Sequence, residues 1–248
     1  MKQAGYPKFL KGSDMQLQRG ISLVMVMLVL VLVALTSLSA SRSSFFNETV
    51  AGNEADYNRA LSAAEALIRD AQLDILGQTA AGAPCSVTAD FIGCRTSPTG
   101  VPTLAEPFFP EDAKDSLALK TALNNACVLG ICAPQAWPAN ALPDNFWMTP
   151  ATLAANAANA ATYGQFTGAA PAATGNPILT ANVPARRAWY WTELVDFSVT
   201  LCIDPANAPL CVNRPGVDRP FIYRITAVAQ GRGNTLAVIQ TFFVPYPK

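Results

Sequence analysis

The residues best placed to do chemistry are six cysteines, Cys85, Cys94, Cys127, Cys132, Cys202 and Cys211, and the chain has no histidine. Without imidazole there is no Ser-His or Cys-His nucleophile pair, no usual general base and no nitrogen ligand for a transition metal. The cysteines fall in three successive pairs with eight, four and eight intervening residues. Zinc sites want C-x-x-C or Cys/His clusters, so an even set on an exported chain reads as a disulfide framework. Nearest-neighbour pairing is expected: Cys85 with Cys94, Cys127 with Cys132, Cys202 with Cys211. Each bridge would close a small loop and fix local shape more than global stability.

Paired carboxylates are the remaining route to hydrolysis. Glu111 with Asp112 and Glu193 with Asp196 are the nearest pairs, but the first opens a helix and the second flanks a strand, which are ordinary solvated positions. Asp196, Asp204 and Asp218 are scattered for a calcium site. No G-x-S-x-G, phosphate-binding glycine loop or metal motif is present in the sequence. The reading is of no catalytic residue, no metal and no cofactor, with a signal-anchored periplasmic enzyme as the outlying alternative.

What must position these residues begins at the amino terminus. No charge occurs from Ile21 to Ser41, and about 20 helical residues span about 30 Å, the hydrocarbon thickness of a bilayer. The leader before it carries Lys2, Lys8, Lys11 and Arg19 against Asp14 alone. That bias holds residues 1–20 in the cytoplasm and sends the rest across, so everything from about Arg42 onward is expected to be periplasmic or extracellular. Leu38-Ser39-Ala40 could pass for a signal-peptidase site, but the apolar run is longer than a cleaved signal needs. The leader holds four of the 17 basic and one of the 17 acidic residues, so the chain after Gly20 is net −3. That argues against a nucleic-acid partner; Arg186-Arg187 is the only adjacent basic pair in that part.

Helical periodicity continues past the membrane segment, with no proline between Gly20 and Pro84. Leu61, Ala64, Leu67 with Ile68, Ala71 and Ile75 make one apolar stripe. Asp56, Arg59, Ser62, Arg69, Asp70 and Asp74 are expected on the opposite, solvated side, where Glu65 precedes Arg69 by four residues. One helix is therefore expected from Ile21 to about Gly77, roughly 85 Å long, with Gly52 as its weak point.

Residues 78–188 are rich in Ala, Pro, Asn and Gly. A short helix is expected from Pro110, with Pro110-Glu111-Asp112 as its first turn, through Ala113, Leu117 and Lys120 to Leu123, and a second from Pro150 to about Tyr163. Trp137, Phe146, Trp147 and Phe166 are expected to plug satellite clusters over a sheet, and Gly164 to Pro184 reads as loop. From Arg187 the period becomes two. Val195, Phe197, Val199, Leu201 and Ile203 read as the inward set of one strand. Phe221 to Val228 is a second strand, and Leu236 to Val244 a third beyond the Gln230–Asn234 hairpin loop. The fold class is α+β, a long amino-terminal helix packed on a carboxy-terminal antiparallel sheet of three or four strands, stabilised by disulfides.

Basic leader, Gly20, uncharged helix, amphipathic continuation and sheet together resemble a type IV prepilin. More narrowly, Arg19-Gly20-Ile21-Ser22-Leu23-Val24, Val50-Ala51-Gly52-Asn53, Ala63 to Ala71, Tyr223-Arg224-Ile225-Thr226 and Gly231-Arg232-Gly233 are similar to PilX-type minor pilins. The resemblance implies cleavage after Gly20 by a prepilin peptidase and methylation of the new amino terminus, Ile21. It implies packing of residues 21–45 with other minor pilins and the major pilin, and possible partnership with a tip adhesin. Major pilins carry a glutamate at the fifth residue after the cut, where this chain has Met25. A carboxylate buried in apolar surroundings needs a partner, so its absence fits a subunit at the filament tip; Met25 can also be simply another lipid-facing residue. A pseudopilin at the tip of a type II secretion pseudopilus is the alternative machine. The expected layout is leader 1–20, membrane or filament-core helix 21–45, amphipathic helix 46–77 and head 78–248, its variable insert at 78–188 and sheet at 189–248.

Overall fold

The computed structural model describes residues 17–85, 93, 95, 107–134, 141–172, 175–180, 187–197, 214–232 and 235–245. Helix α1, Leu17–Ile75, is 59 residues long and passes Gly52 without a break. It begins one turn before Gly20, earlier than the expected start at Ile21, because nothing between Leu17 and Gly20 breaks a helix. The chain divides into two compact units, residues 1–52 and 53–248.

In the first unit every side chain from Ile21 to Gly52 is exposed. By length and composition this helix is apolar enough to cross a membrane. The hydroxyl of Thr36, within the apolar run, donates to the carbonyl of Val33 at 3.0 Å and so keeps an internal partner in apolar surroundings; that of Thr49, beyond the run, donates to Phe45 O at 2.9 Å.

The second unit is built on a five-stranded sheet in the order β1-β2-β3-β4-β5: β1 Cys127–Val128, β2 Ile131–Cys132, β3 Ala188–Asp196, β4 Phe221–Gln230 and β5 Leu236–Phe243. Strands β3, β4 and β5 form the expected antiparallel meander. The α+β class stands, and the sheet is wider than three or four strands. Its extra members are a two-residue hairpin, β1-β2, whose inner strand runs parallel to β3. Leu129 and Gly130, with φ of 50° and 81°, make its turn; Leu-Gly is not the usual Asn-Gly turn pair, and two residues are too short for a period.

Strand β3 begins at Ala188 and ends at Asp196, ahead of the expected alternation; residues 198–203 lie outside the described residues. Its Trp-Tyr-Trp run carries no alternation because both faces are covered. Toward α1, Tyr190 and Leu194 join Tyr223, Ile225, Ala227 and Ala229 of β4 against Ala60, Ala63, Ala64, Leu67 and Ala71. The alanines bring the helix close to the strands. On the other face Trp191 and Val228 pack with Leu142, Phe146, Leu153, Cys127 and Cys132. The Phe146 and Trp191 rings meet edge to face with centroids 4.7 Å apart, and Trp191 Nε1 donates to Asn156 O at 3.2 Å. Phe146 and Trp147 thus form the expected satellite cluster, Phe166 packs on the α1 side, and Trp137 lies outside the described residues.

Two short helices frame the insert. Helix α2, Ala113–Leu123, starts three residues later than expected: Asp112 is extended and caps it, accepting from Asp115 N at 2.8 Å, so Pro110 and Glu111 precede the helix instead of forming its first turn. Helix α3, Pro150–Ala157, starts on Thr149 with proline in its first turn. It stops six residues short of Tyr163 because Ala161 exchanges backbone hydrogen bonds with Tyr190, at 3.0 and 2.9 Å.

Candidate functional site

The expected processing site lies within regular helix. Gly20 is a residue of α1, and Ile21 and Met25 are 63% and 61% exposed, like the apolar residues around them. Nothing in its surroundings sets Met25 apart from Val24 or Val26.

The unexpected chemistry is on the other half of α1. Asp70 and Asp74, expected in solvent, are 2% and 4% exposed and face the sheet. Asp70 lies three residues after Leu67, and Asp74 three after Ala71, so both belong to the buried stripe by helical spacing. Spacing carries this signal in the sequence, while the carboxyl type points to solvent.

Asp74 receives Arg95 Nε at 2.8 Å and the Tyr190 hydroxyl at 2.9 Å. Arg95 also donates from Nη2 to Leu129 O, while its buried Nη1 has no hydrogen-bond partner among the described residues. The guanidinium carbon lies 3.4 Å from the Phe166 ring centroid, an aromatic cover that suits a desolvated cation. Burial pushes the Asp74 carboxyl up against the downward pull of Arg95. Burial and the neighbouring Asp74 carboxylate push the Tyr190 phenol up as well.

Asp70 clasps the loop that carries Phe166. It receives Gly164 N at 2.8 Å and the Thr167 hydroxyl. Burial raises its carboxyl to about 6, partly offset by those two bonds. Gly164 has φ +70°, and a Cβ there would overlap the Ala169 carbonyl, so the tight turn that delivers its N–H requires glycine.

Two buried carboxylates with raised pKa values are the pattern of an acid–base pair. Here both oxygens of each carboxylate are engaged by internal partners. Asp70 borders a shallow cleft of about 360 Å³ with Ser62, Glu65, Arg69 and Tyr163, but Asp74 does not line it. The geometry is that of a latch between α1 and the head.

A second latch lies higher on the helix. Asp56 accepts from Arg232 N at 3.1 Å, and a Cβ on Gly231 would overlap Asp56 Oδ2. Arg187 closes the same turn by donating to Gly231 O at 2.8 Å. On the far face, Glu193 and Arg224 sit opposite each other on β3 and β4 and pair at 2.7 Å. Glu193 is 2% exposed, so the expectation of a solvated position beside the strand is corrected: it lies within β3 under the Leu142–Trp147 segment. Burial raises its carboxyl while Arg224 lowers it. Asp196 pairs with Lys120 of α2, and Asp112 caps that helix, so neither expected carboxylate pair converges on one site.

Cys127 and Cys132 are joined by a disulfide across the β1-β2 hairpin. Cys85 is also disulfide-bonded. Cys94, Cys202 and Cys211 lie outside the described residues, and with them the expected pairings Cys85–Cys94 and Cys202–Cys211. Asp204 also lies outside them, and among the described residues no group of three or more acidic, cysteine or histidine side chains could hold a metal ion.

Residues 19–69 match the family model described as PilX N-terminal. The match runs from the residue before Gly20 to the residue before Asp70, so the resemblance drawn from the sequence stands over the exposed apolar helix and most of its continuation. Searches of curated proteins and of solved structures gave no match to the chain.

Proposed function

We propose that this chain, whose residues 19–69 carry the amino-terminal segment of PilX-type minor pilins, is a non-enzymatic minor pilin of a type IV pilus. It is inserted in the inner membrane with residues 1–20 in the cytoplasm and the head in the periplasm. A prepilin peptidase cuts after Gly20 and Ile21 is methylated. Residues 21–45 then leave the lipid for the helical core of a filament, exchanging one apolar surrounding for another. The amphipathic half at 46–77 carries the head, 78–248, with its insert at 78–188 and sheet at 189–248.

The observation that carries this reading is the coincidence of the family match with a helix whose every residue from Ile21 to Gly52 is exposed and largely apolar. Met25 in place of a glutamate supports a position at the tip, in a priming complex with other minor pilins, the major pilin below and a tip adhesin.

Amino-terminal mass spectrometry of the membrane-derived protein tests the route. The expected terminus is N-methylated Ile21; a chain starting at Ser41, or an intact Met1, overturns it. A deletion strain should lose surface pili, and normal piliation without the protein would remove the priming role.

A further inference from the structure

Among the described residues strand β5 is the last of the sheet, and its outer edge carries none of the usual protections there. From Leu236 to Phe243 it has no charged residue, no proline and no glycine. Natural edge strands are commonly blunted by lysine, proline, a bulge or shortness, since their unpaired main-chain groups invite another strand.

The ladder shows which groups point outward. Gly231 N donates to Thr235 O at 2.7 Å, which makes that pair a hydrogen-bonded one. Antiparallel ladders alternate, so Ala237, Ile239, Thr241 and Phe243 bond inward to β4, and Leu236, Val238, Gln240 and Phe242 turn their N–H and C=O outward. The other side of β4 agrees, because Gln230 N donates to Arg187 O at 2.7 Å and so places the even-numbered residues of β4 toward β3.

The same four residues put their side chains on the sheet face away from α1. Leu236 and Val238 pack on the Trp191 cluster. Gln240 is held to the sheet by Thr226 at 3.0 Å, and Phe242 is 61% exposed. A strand laid along this edge would meet four main-chain donors and four acceptors, and would continue the apolar layer of Leu236, Val238 and Phe242.

We infer that the outer edge of β5 is the acceptor for one extended strand of a partner subunit, uncharged and with apolar residues at alternate positions. The main-chain ladder supplies the binding and Phe242 the side-chain preference. Packing of the amino-terminal helix makes no use of this edge, so the inference goes beyond the filament reading.

Two measurements on the full chain test it. In detergent micelles, without partners, the amides of Val238, Gln240 and Phe242 should exchange hydrogen at least about 100-fold faster than those of Ala237, Ile239 and Thr241. Equal protection in both sets means the edge is already covered and overturns the inference. In cells, a benzophenone amino acid at position 242 should link to a single strand-forming peptide of another protein. Val238→Pro, which removes an outward N–H without removing a bond of the β4 ladder, should cut that adduct more than tenfold while the head keeps a cooperative melt, lowered only by the packing Val238 loses on the Trp191 cluster. An adduct with β5 of a second copy, an adduct with lipid, no adduct, or one indifferent to Val238→Pro overturns it. Neither arm reads piliation, so an uncut or unmethylated amino terminus would sink the pilin reading and leave this one standing.

Discussion

Tyr190 and Asp74 stand 116 residues apart in the chain and meet in the core, hydroxyl to Oδ2 at 2.9 Å. The contact fixes the rotation of α1 over the sheet, because a carboxylate this deeply buried is held only where its donors are. Tyr190→Phe should cost about 1–2 kcal/mol. Asp74→Ala should cost about 3–5 kcal/mol, since it leaves Arg95 charged and unpaired under Phe166. The double variant should cost less than the sum. Denaturant titration of the full chain in micelles, followed by tryptophan fluorescence, measures all three.

The head should be more stable in mild acid than at neutral pH. Asp70 has a folded pKa of about 6 against an ordinary 3.8, so the folded chain holds that proton more tightly than the unfolded one. Its contribution is full below about pH 4 and is lost as pH rises through 6. Asp74 and Glu193 are shifted in the same direction. Melting temperatures at pH 4.5 and 7.5 should differ with the acid value higher, and Asp70→Asn should narrow the gap. A higher melting temperature at pH 7.5 would contradict the burial of these carboxylates.

Gly231→Ala should loosen the upper end of α1. The added methyl overlaps Asp56 Oδ2, and the relief is to push the carboxylate off Arg232 N. A loss of about 1–2 kcal/mol is expected. Asp56→Ala should cost about the same, and the pair should be far from additive. Equal and additive losses would mean that the two residues do not share one contact.

Replacing Cys127 and Cys132 together by serine should cost about 2 kcal/mol in the loop-entropy model, because the bridged loop is short. The melting temperature should fall by a few degrees. Cys132 is wholly buried, so the intact bridge should resist dithiothreitol until the head unfolds.

Much of this structure is legible from spacing. The α1 stripe and the β4-β5 hairpin follow from period and turn chemistry. The parts that are not legible share one physical cause, which is a partner distant in sequence. Asp70 and Asp74 look solvated until Arg95, Tyr190 and Thr167 are seen around them. Strand β3 hides its alternation because the 141–160 segment covers its second face. The β1-β2 hairpin is specified by Thr192 N, which donates to Gly130 O at 2.7 Å, and no local pattern encodes that.

Asp56, Asp70 and Asp74 hold α1 to the head at points spread along about 27 Å of helix. A pull along the helix axis therefore loads them together, in shear. Shear is the direction in which bonds in parallel share a force, whereas peeling would break them one after another. Under the proposed function a pull on the filament would reach the head along that axis, and in this chain such tension would meet three carboxylates at once.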